Sequence, residues 1–158
     1  MSVRGVELNF VNANGIFRSK AIKHPNIRSN NIRGILGLAD TRVSVEQHKR
    51  LSAQHNKDSL IGGVKQRFFG TSADILHPHK SGGCAIFFGQ NYLKECIEVK
   101  YDTSNQRRFV NLVAILQNGI KTMISCFYLH ATSMERKNKL ALIQYANQEQ
   151  PGCNRLNV

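Results

Sequence analysis

The sequence predicts an α+β protein in which mainly antiparallel strands are flanked by helices. Three observations carry this prediction. The chain reads as strand, connection, strand and helix, followed by several strands and a last helix. Asn118-Gly119 lies between two apolar runs and matches a hairpin turn with positive φ at its central positions. The last predicted helix has a capping box and apolar residues at helical spacing.

The first half is predicted to contain two strands and two helices. In order, they are a strand over 6–11, a turn over 12–15, a short helix near 27–33, a buried strand over 34–39 and a helix from Val45 to about Gln54. Gly15 allows positive φ in the turn. The apolar run between Gly34 and Asp40 is typical of a buried strand. Ser44 is placed to cap the second helix.

The second half is predicted to be richer in strands. In order, the predicted elements are strands over 64–71, 84–88, 95–101, 108–116 and 120–128 and a helix over 134–147. Glycine pairs interrupt the chain before the first two of these strands. Thr132 and Glu135 form the capping box of the helix, and Pro151-Gly152 ends it. Residues 1–150 are therefore predicted to form one domain and 151–158 a C-terminal tail.

Net charge is the strongest compositional signal. The chain has 158 residues, with 22 Lys and Arg against 10 Asp and Glu, a net charge of +12. Basic residues exceed acidic ones in both halves of the chain. Distributed positive charge on a folded body favours contact with a polyanion, most often nucleic acid, over a basic tail. The alternatives are a soluble basic protein without such a partner and a small subunit among acidic neighbours.

The cysteines and the absence of long apolar windows indicate the compartment. Cys84, Cys96, Cys126 and Cys153 show no C-x-x-C spacing, and three of them lie in apolar runs where a reduced thiol packs as a small hydrophobe. This favours a reducing, intracellular setting. No window is apolar enough to predict a membrane span or a signal peptide. The basic N-terminal stretch is compatible with import into a mitochondrion or another organelle.

Five short motifs, in order, carry a resemblance to a known family. They are Asn12-Ala-Asn14-Gly15-Ile16, Leu38-Ala-Asp40-Thr41, Phe68-Phe69, Gly82-Gly83-Cys84 and Phe127-Tyr128. This series resembles the endonuclease/exonuclease/phosphatase family, and most closely the apurinic-type endonuclease domain of non-LTR, LINE-like retrotransposons. The similarity spans about residues 6–146 and covers only the N-terminal portion of that domain.

The resemblance implies a fold and a set of site positions. The fold would be a partial four-layer αββα sandwich, so residues 1–150 would form a truncated domain of this type. Asn12 falls on the polar residue that helps to hold the metal-ligand cluster and phosphate. Asp40 falls on the Mg²⁺-binding carboxylate, and Tyr128 on the tyrosine that contacts phosphate. A strand-ending turn explains Asp40 equally well.

Departures from the family pattern argue against hydrolysis. The Gly-Asp-Phe-Asn strand end and the terminal Asp-His pair of the family have no counterpart in this chain. Arg42 stands where a His often follows the Thr. A general base contributes about 10² to 10⁴ in rate. We therefore expect no catalytic residues, with Asn12, Asp40 and Tyr128 vestigial, and no cofactor.

The resemblance also implies partners. The second sheet of the family's sandwich comes largely from the missing half, so the inner face of the first sheet is predicted to be exposed and covered by other protein chains. The leading hypothesis is an inactive, basic structural subunit of a larger complex, such as an organellar ribosome, which contacts RNA rather than DNA. The alternative is one part of a Mg²⁺-dependent nicking endonuclease of a retrotransposon, nuclear and completed by another chain.

Phosphate contacts are predicted at basic residues. They are Lys20, Lys23, Arg28, Arg107, Arg108, Arg136, Lys137 and Lys139. Such residues usually form solvated surfaces, and only the net charge makes them phosphate-contact candidates.

Overall fold

A computed structural model of the chain describes residues 2–3, 6–18, 21–29, 31–56, 67–72, 82–103, 109–128 and 154–157. These residues form two larger sheets, a small two-stranded sheet and three helices. Most strand pairs are antiparallel. The predicted α+β class is confirmed.

The elements are numbered in chain order. The strands are β1 Ser2–Val3, β2 Val6–Asn12, β3 Phe17–Arg18, β4 Ala21–Ile22, β5 Ile35–Ala39, β6 Phe68–Gly70, β7 Cys84–Phe88, β8 Cys96–Thr103, β9 Phe109–Leu116, β10 Lys121–Phe127 and β11 Asn154–Asn157. The helices are α1 Pro25–Arg28, α2 Val45–His55 and α3 Gln90–Glu95.

The first sheet has the strand order β1-β2-β5-β7-β6 within the described residues. Strands β2 and β5 are parallel, with Asn12 opposite Ala39, so both reach the same edge of the sheet at their carboxyl ends. Gly37 lies opposite Phe10 in this pair, and a β-carbon at Gly37 would overlap the Phe10 ring. The missing side chain therefore lets the ring lie across β5. The connection between the two strands contains β3, β4 and α1.

The second sheet has the order β11-β10-β9-β8 within the described residues. Its centre is the predicted hairpin of β9 and β10, and β8 pairs with β9. Gly119 takes positive φ in the hairpin turn whereas Asn118 does not; the Asn118 Oδ1 instead accepts a hydrogen bond of 3.1 Å from the Ile120 backbone. Strand β11 pairs in parallel with β10, which sequence reasoning did not anticipate.

The inner face of the first sheet is buried by the second sheet of the same chain. One apolar cluster combines Ile35, Ile86 and Phe88 of the first sheet with Leu112 and Ile124 of the second. Each of these side chains is at most 1% exposed. The prediction that this face is exposed and needs another chain to cover it was therefore wrong. Sequence reasoning assigned the second sheet to the missing half, whereas β8, β9 and β10 supply it within this chain.

The outer face of the first sheet is covered by α2 and by the β2–β5 connection. Leu38, Phe87, Ile27 and Leu51 belong to this second apolar cluster and are fully buried. Ser44 caps α2 as predicted: its hydroxyl accepts from the Gln47 backbone, and the Gln47 side chain accepts from the Ser44 backbone. Both faces of β5 and β7 are thus packed by the chain itself, whereas Glu7, Asn9 and Val11 on the outer side of β2 remain exposed.

The other predictions for individual elements have mixed outcomes. The strands predicted over 6–11, 34–39 and 84–88 are confirmed as β2, β5 and β7. The short helix lies at Pro25–Arg28, earlier than predicted, because Pro25 occupies its first turn. Of the strand predicted over 64–71, the structure shows β6. The helix predicted over 134–147 lies outside the described residues.

Three cysteines are buried in strands, as expected. Cys84, Cys96 and Cys126 have free thiols and are at most 2% exposed. The Cys126 thiol donates to the Leu38 carbonyl over 3.3 Å and so links β10 of the second sheet to β5 of the first. None of the described helices is long and apolar enough to cross a membrane.

Candidate functional site

The carboxyl ends of β2 and β5 form the candidate site. Asn12 is the last residue of β2, and Asp40 follows β5 directly. Tyr128 follows β10, two residues after the thiol that bonds to Leu38. Its phenolic group lies close enough to Arg42 to influence the pKa of that guanidinium. The structure therefore brings the Asp40 and Tyr128 loops together, with Asn12 on the neighbouring strand.

Backbone hydrogen bonds join the two strand-end loops. Gly15 donates to the Asp40 carbonyl over 2.8 Å, and Ile16 donates to the Thr41 carbonyl over 2.9 Å. The Asn12 Oδ1 accepts from the Asn14 backbone over 3.2 Å. This bond closes an Asx turn, so the Asn12 side chain stabilises its own loop.

Asp40 is buried and held in an ion pair. Its side chain is 7% exposed, and the Arg42 Nη2 lies 3.0 Å from its Oδ2. The Arg42 Nε donates to both carboxylate oxygens, at 3.3 and 3.2 Å. The backbone of Gly82 also donates to the Asp40 Oδ1 over 2.8 Å. Both oxygens are therefore engaged by donors of the chain itself.

This ion pair also sets the electrostatics of Arg42. Hydrogen bonding to Asp40 raises the pKa of Arg42 above its usual value, burial opposes this, and the charges of Asp40 and Tyr128 raise it further. The guanidinium is thus cationic at every physiological pH. Its side chain remains 35% exposed, so the positive group reaches the surface.

The backbone of these loops is held in uncommon conformations. Asn14, Asp40 and Arg42 have positive φ values of 43°, 55° and 50°. Asn and Asp tolerate this left-handed region, but for a long side chain such as Arg it is uncommon and costs energy. Strained residues of this kind tend to cluster at functional sites, where the surrounding structure holds them.

A second cation, Lys23, approaches the same loop. Its Nζ donates to the Asn14 carbonyl over 3.1 Å. A β-carbon at Gly15 would lie 3.7 Å from the Lys23 Nζ and 3.8 Å from the Arg42 Cδ. Lys23 and Arg42 therefore flank Gly15, and we call these two residues with their loop the basic edge.

Three further basic residues that the structure describes in this connection are exposed. Arg28 ends α1 and is exposed, as are Arg18 and Arg33, which sequence reasoning did not select. Arg42 was noted only as a replacement for a histidine, although it is the residue that pairs with Asp40. The absence of any Asp or Glu between Glu7 and Asp40 was the available sequence signal for this basic connection. The remaining predicted phosphate contacts lie outside the described residues: Lys20, Arg107, Arg108, Arg136, Lys137 and Lys139.

Magnesium, which the resemblance implies at Asp40, does not fit the site as it is arranged. Mg²⁺ is usually held by one or two carboxylates whose oxygens join a near-octahedral shell of water and phosphate oxygens. Both Asp40 oxygens already accept hydrogen bonds from Arg42 or Gly82, and among the described residues no group of three or more His, Cys, Asp or Glu side chains adds further ligands. Arg42 instead supplies the positive charge that Asp40 needs.

His55 at the end of α2 is a buried titratable group outside this edge. Its ring is 2% exposed and contacts Phe87 at a centroid distance of 5.1 Å. Burial lowers the pKa of His55 to about 4, and the charge of Arg67 acts in the same direction. The folded protein therefore disfavours the protonated imidazole.

We expect the protein to lose stability as pH falls from about 6.5 to about 4. In this window the unfolded chain binds a proton at His55 that the folded chain does not, so unfolding is favoured by about 2 to 3 kcal/mol. His55→Gln should remove this part of the acid dependence, measured by urea denaturation at several pH values. His48→Gln, on the same helix, should retain it; equal acid sensitivity in wild type and His55→Gln would contradict the assignment.

The described residues thus define an α+β protein whose two main sheets share a core and whose parallel strand ends carry a basic edge around an Asp–Arg pair. A scan against protein-family models finds no match for the chain, and no curated protein is significantly similar to it.

Proposed function

We propose that this chain is a catalytically inactive relative of retroelement endonucleases that acts as a basic structural subunit, contacting RNA within a larger complex such as an organellar ribosome. The fold behind this proposal is a partial αββα sandwich. Two observations support that fold: the two sheets share one core, and the residues matching family positions lie at one edge. The proposed setting is the reducing interior of a mitochondrion or another organelle.

The observation that carries the proposal is the engagement of Asp40. A carboxylate that binds a catalytic cation must offer its oxygens to that cation. Here both oxygens accept hydrogen bonds from Arg42, and one also accepts from Gly82. The guanidinium neutralises this carboxylate, and Lys23 supplies further positive charge, so the edge is suited to binding an anion rather than to activating water.

Positive charge at this edge suits a phosphate backbone. Lys23 and Arg42 flank Gly15, and Arg28 and Arg18 extend the exposed charge along the same connection. Each phosphate that a protein neutralises releases counterions, so affinity falls steeply with salt. The net charge of +12 adds long-range attraction to any polyanion.

Lys23→Ala should weaken binding of a fluorescent single-stranded RNA to the full chain and lower the slope of log affinity against log salt by about 0.7. Fluorescence anisotropy over a salt series measures both quantities. Lys121→Ala is the matched control, because Lys121 is equally exposed but begins β10, at the opposite end of that strand from Tyr128. An unchanged salt slope in Lys23→Ala, or an equal loss of affinity in both variants, would show that the basic edge does not contact the RNA.

One part of a Mg²⁺-dependent nicking endonuclease, completed by another chain, is the second candidate. The Asp40 and Tyr128 loops meet at one edge, which favours this candidate. An active site needs both residues close together, whereas a vestigial site does not. A plasmid-nicking assay separates the candidates. We expect no Mg²⁺-dependent nicking by the chain alone or with its co-purifying partners; nicking that Asp40→Ala abolishes would support the second candidate instead.

A further inference from the structure

A cavity of about 530 Å³ lies on the outer side of β2, opposite the core that the two sheets share. Its floor includes Asn9 and Val11 of β2 and Leu36 of β5, and its opposite wall comes from the β2–β5 connection. Because side chains alternate along a strand, Glu7, Asn9 and Val11 share one face of β2. The volume falls within the range of about 300 to 1,000 Å³ that small-ligand pockets occupy.

The lining is unusually rich in carboxamides. Asn9, Asn26 and Asn31 all contribute, and all three are exposed. Each carboxamide carries two donors and an acceptor on one planar group. This arrangement matches the donor and acceptor pattern on the edges of nucleic-acid bases, which are read by such side chains in single strands.

An apolar floor and two charged residues complete the lining. Val11 is 44% exposed and offers an aliphatic surface against which a flat ring can pack. Leu36, which lies opposite Asn9 in the neighbouring strand, is 4% exposed and closes the base of the floor. Arg33 and Glu7 also line the cavity. Arg33 can stack on a ring or bond to its carbonyl oxygen.

Glu7 indicates which part of a nucleotide the cavity would accept. Its Oε1 accepts a hydrogen bond of 2.7 Å from the Asn9 Nδ2, which fixes the amide and leaves the carboxylate as an acceptor. A carboxylate repels phosphate but accepts from the exocyclic amino group of a base. The cavity is therefore suited to a base, whereas the phosphates would lie on the basic connection at Lys23 and Arg28.

His24 lies on the wall that the connection provides. Its Nδ1 is buried and has no hydrogen-bond partner among the described residues. Buried polar atoms normally have a partner, and lacking one costs free energy. A ligand or water bonded at this wall would relieve that cost.

We propose that this cavity holds an unpaired base bearing an exocyclic amino group, while the basic edge contacts the strand's phosphates. The inference rests on the proposed function, because it assigns a base-reading subsite to the same RNA contact. The two parts have separate physical signatures: phosphate contacts set the salt dependence, and base contacts set the sequence preference.

The test compares labelled twelve-nucleotide RNAs of cytidine and of uridine, bound to the full chain and followed by fluorescence anisotropy. The cytidine strand should bind more tightly, because uracil lacks the amino donor. The double variant Asn26→Ala/Asn31→Ala should lose about 5- to 30-fold in affinity for the cytidine strand and keep the wild-type salt slope. Glu7→Gln should reduce the preference for cytidine over uridine.

Asn91→Ala is the matched control, because Asn91 is an exposed asparagine on α3 outside the cavity. It should bind both strands as the wild type does. Salt-dependent binding with no base preference, or a preference that survives the double variant and Glu7→Gln, would overturn the cavity proposal and leave the proposed function intact. Failure of both RNAs to bind at low salt would overturn the two together.

Discussion

Phe88→Ala should lower the free energy of unfolding by about 3 to 5 kcal/mol, the usual cost of truncating a buried phenylalanine. Phe88 is fully buried between the two sheets. Its ring contacts Phe69 at a centroid distance of 5.2 Å and Tyr92 at 4.9 Å. Removing it leaves a cavity that strands on both sides cannot readily fill. Urea denaturation of the isolated chain measures the loss.

Val11→Ala is the control for this change, because Val11 is 44% exposed on the outer side of β2. It should change stability by no more than about 0.5 kcal/mol. The comparison also tests whether the second sheet of this chain covers the inner face of the first sheet without a partner. If the isolated wild-type chain showed no cooperative unfolding, or if Phe88→Ala cost as little as Val11→Ala, the shared core would not form without a partner.

Asp40→Ala should cost about 2 to 3 kcal/mol of stability. It removes the ion-pair partner of the Arg42 guanidinium and the acceptor of the buried Gly82 N–H, which is then left unsatisfied. Thermal or urea unfolding measures the effect. Asp40→Asn should cost less, since the amide oxygen can still accept from Gly82.

A double-mutant cycle with Arg42→Ala isolates the ion pair. The coupling between the two positions should be about 1 to 2 kcal/mol, because Asp40 is buried while Arg42 is partly exposed. Arg42→Gly should be about 1 kcal/mol more stable than Arg42→Ala, because glycine accepts the positive φ of 50° without strain. Additive effects at Asp40 and Arg42 would show that the pair contributes nothing.

The strand-end loops therefore have a structural role. Asp40 bonds to Arg42 within its own loop and joins that loop to the segment at Gly82. An active metal site would leave such a carboxylate free to bind the cation. Loss of stability in Asp40→Ala without any change in nicking is therefore the combination that the proposed function expects.

The sequence predicted correctly those elements whose formation depends on residues close together in the chain. The capping box at Ser44 and Gln47 depends on residues three apart. The hairpin of β9 and β10 depends on Gly119 between two apolar runs. The burial of β5 follows from its uninterrupted apolar run. Each of these features involves only a short stretch of chain, so the local residue pattern is enough to predict it.

Contacts between distant segments were missed. Strand β11 pairs with β10 although about thirty residues separate them, and nothing local marks Asn154–Asn157 as a strand. The short strands β3 and β4 and the helix α3 also lack a clear periodic signal. The cavity on β2 could not be inferred, because its asparagines come from segments that meet only after β2 and β5 pair.

The α+β class, most of the strands and the excess of positive charge follow from composition, turn residues and apolar periodicity, since these act over a few residues at a time. Two features of the tertiary structure differ from what the sequence predicted. The second sheet closes the face that was predicted to be open, and Arg42 forms an ion pair with Asp40. Both depend on pairings between segments far apart in the chain and on backbone angles that only the packed loops impose.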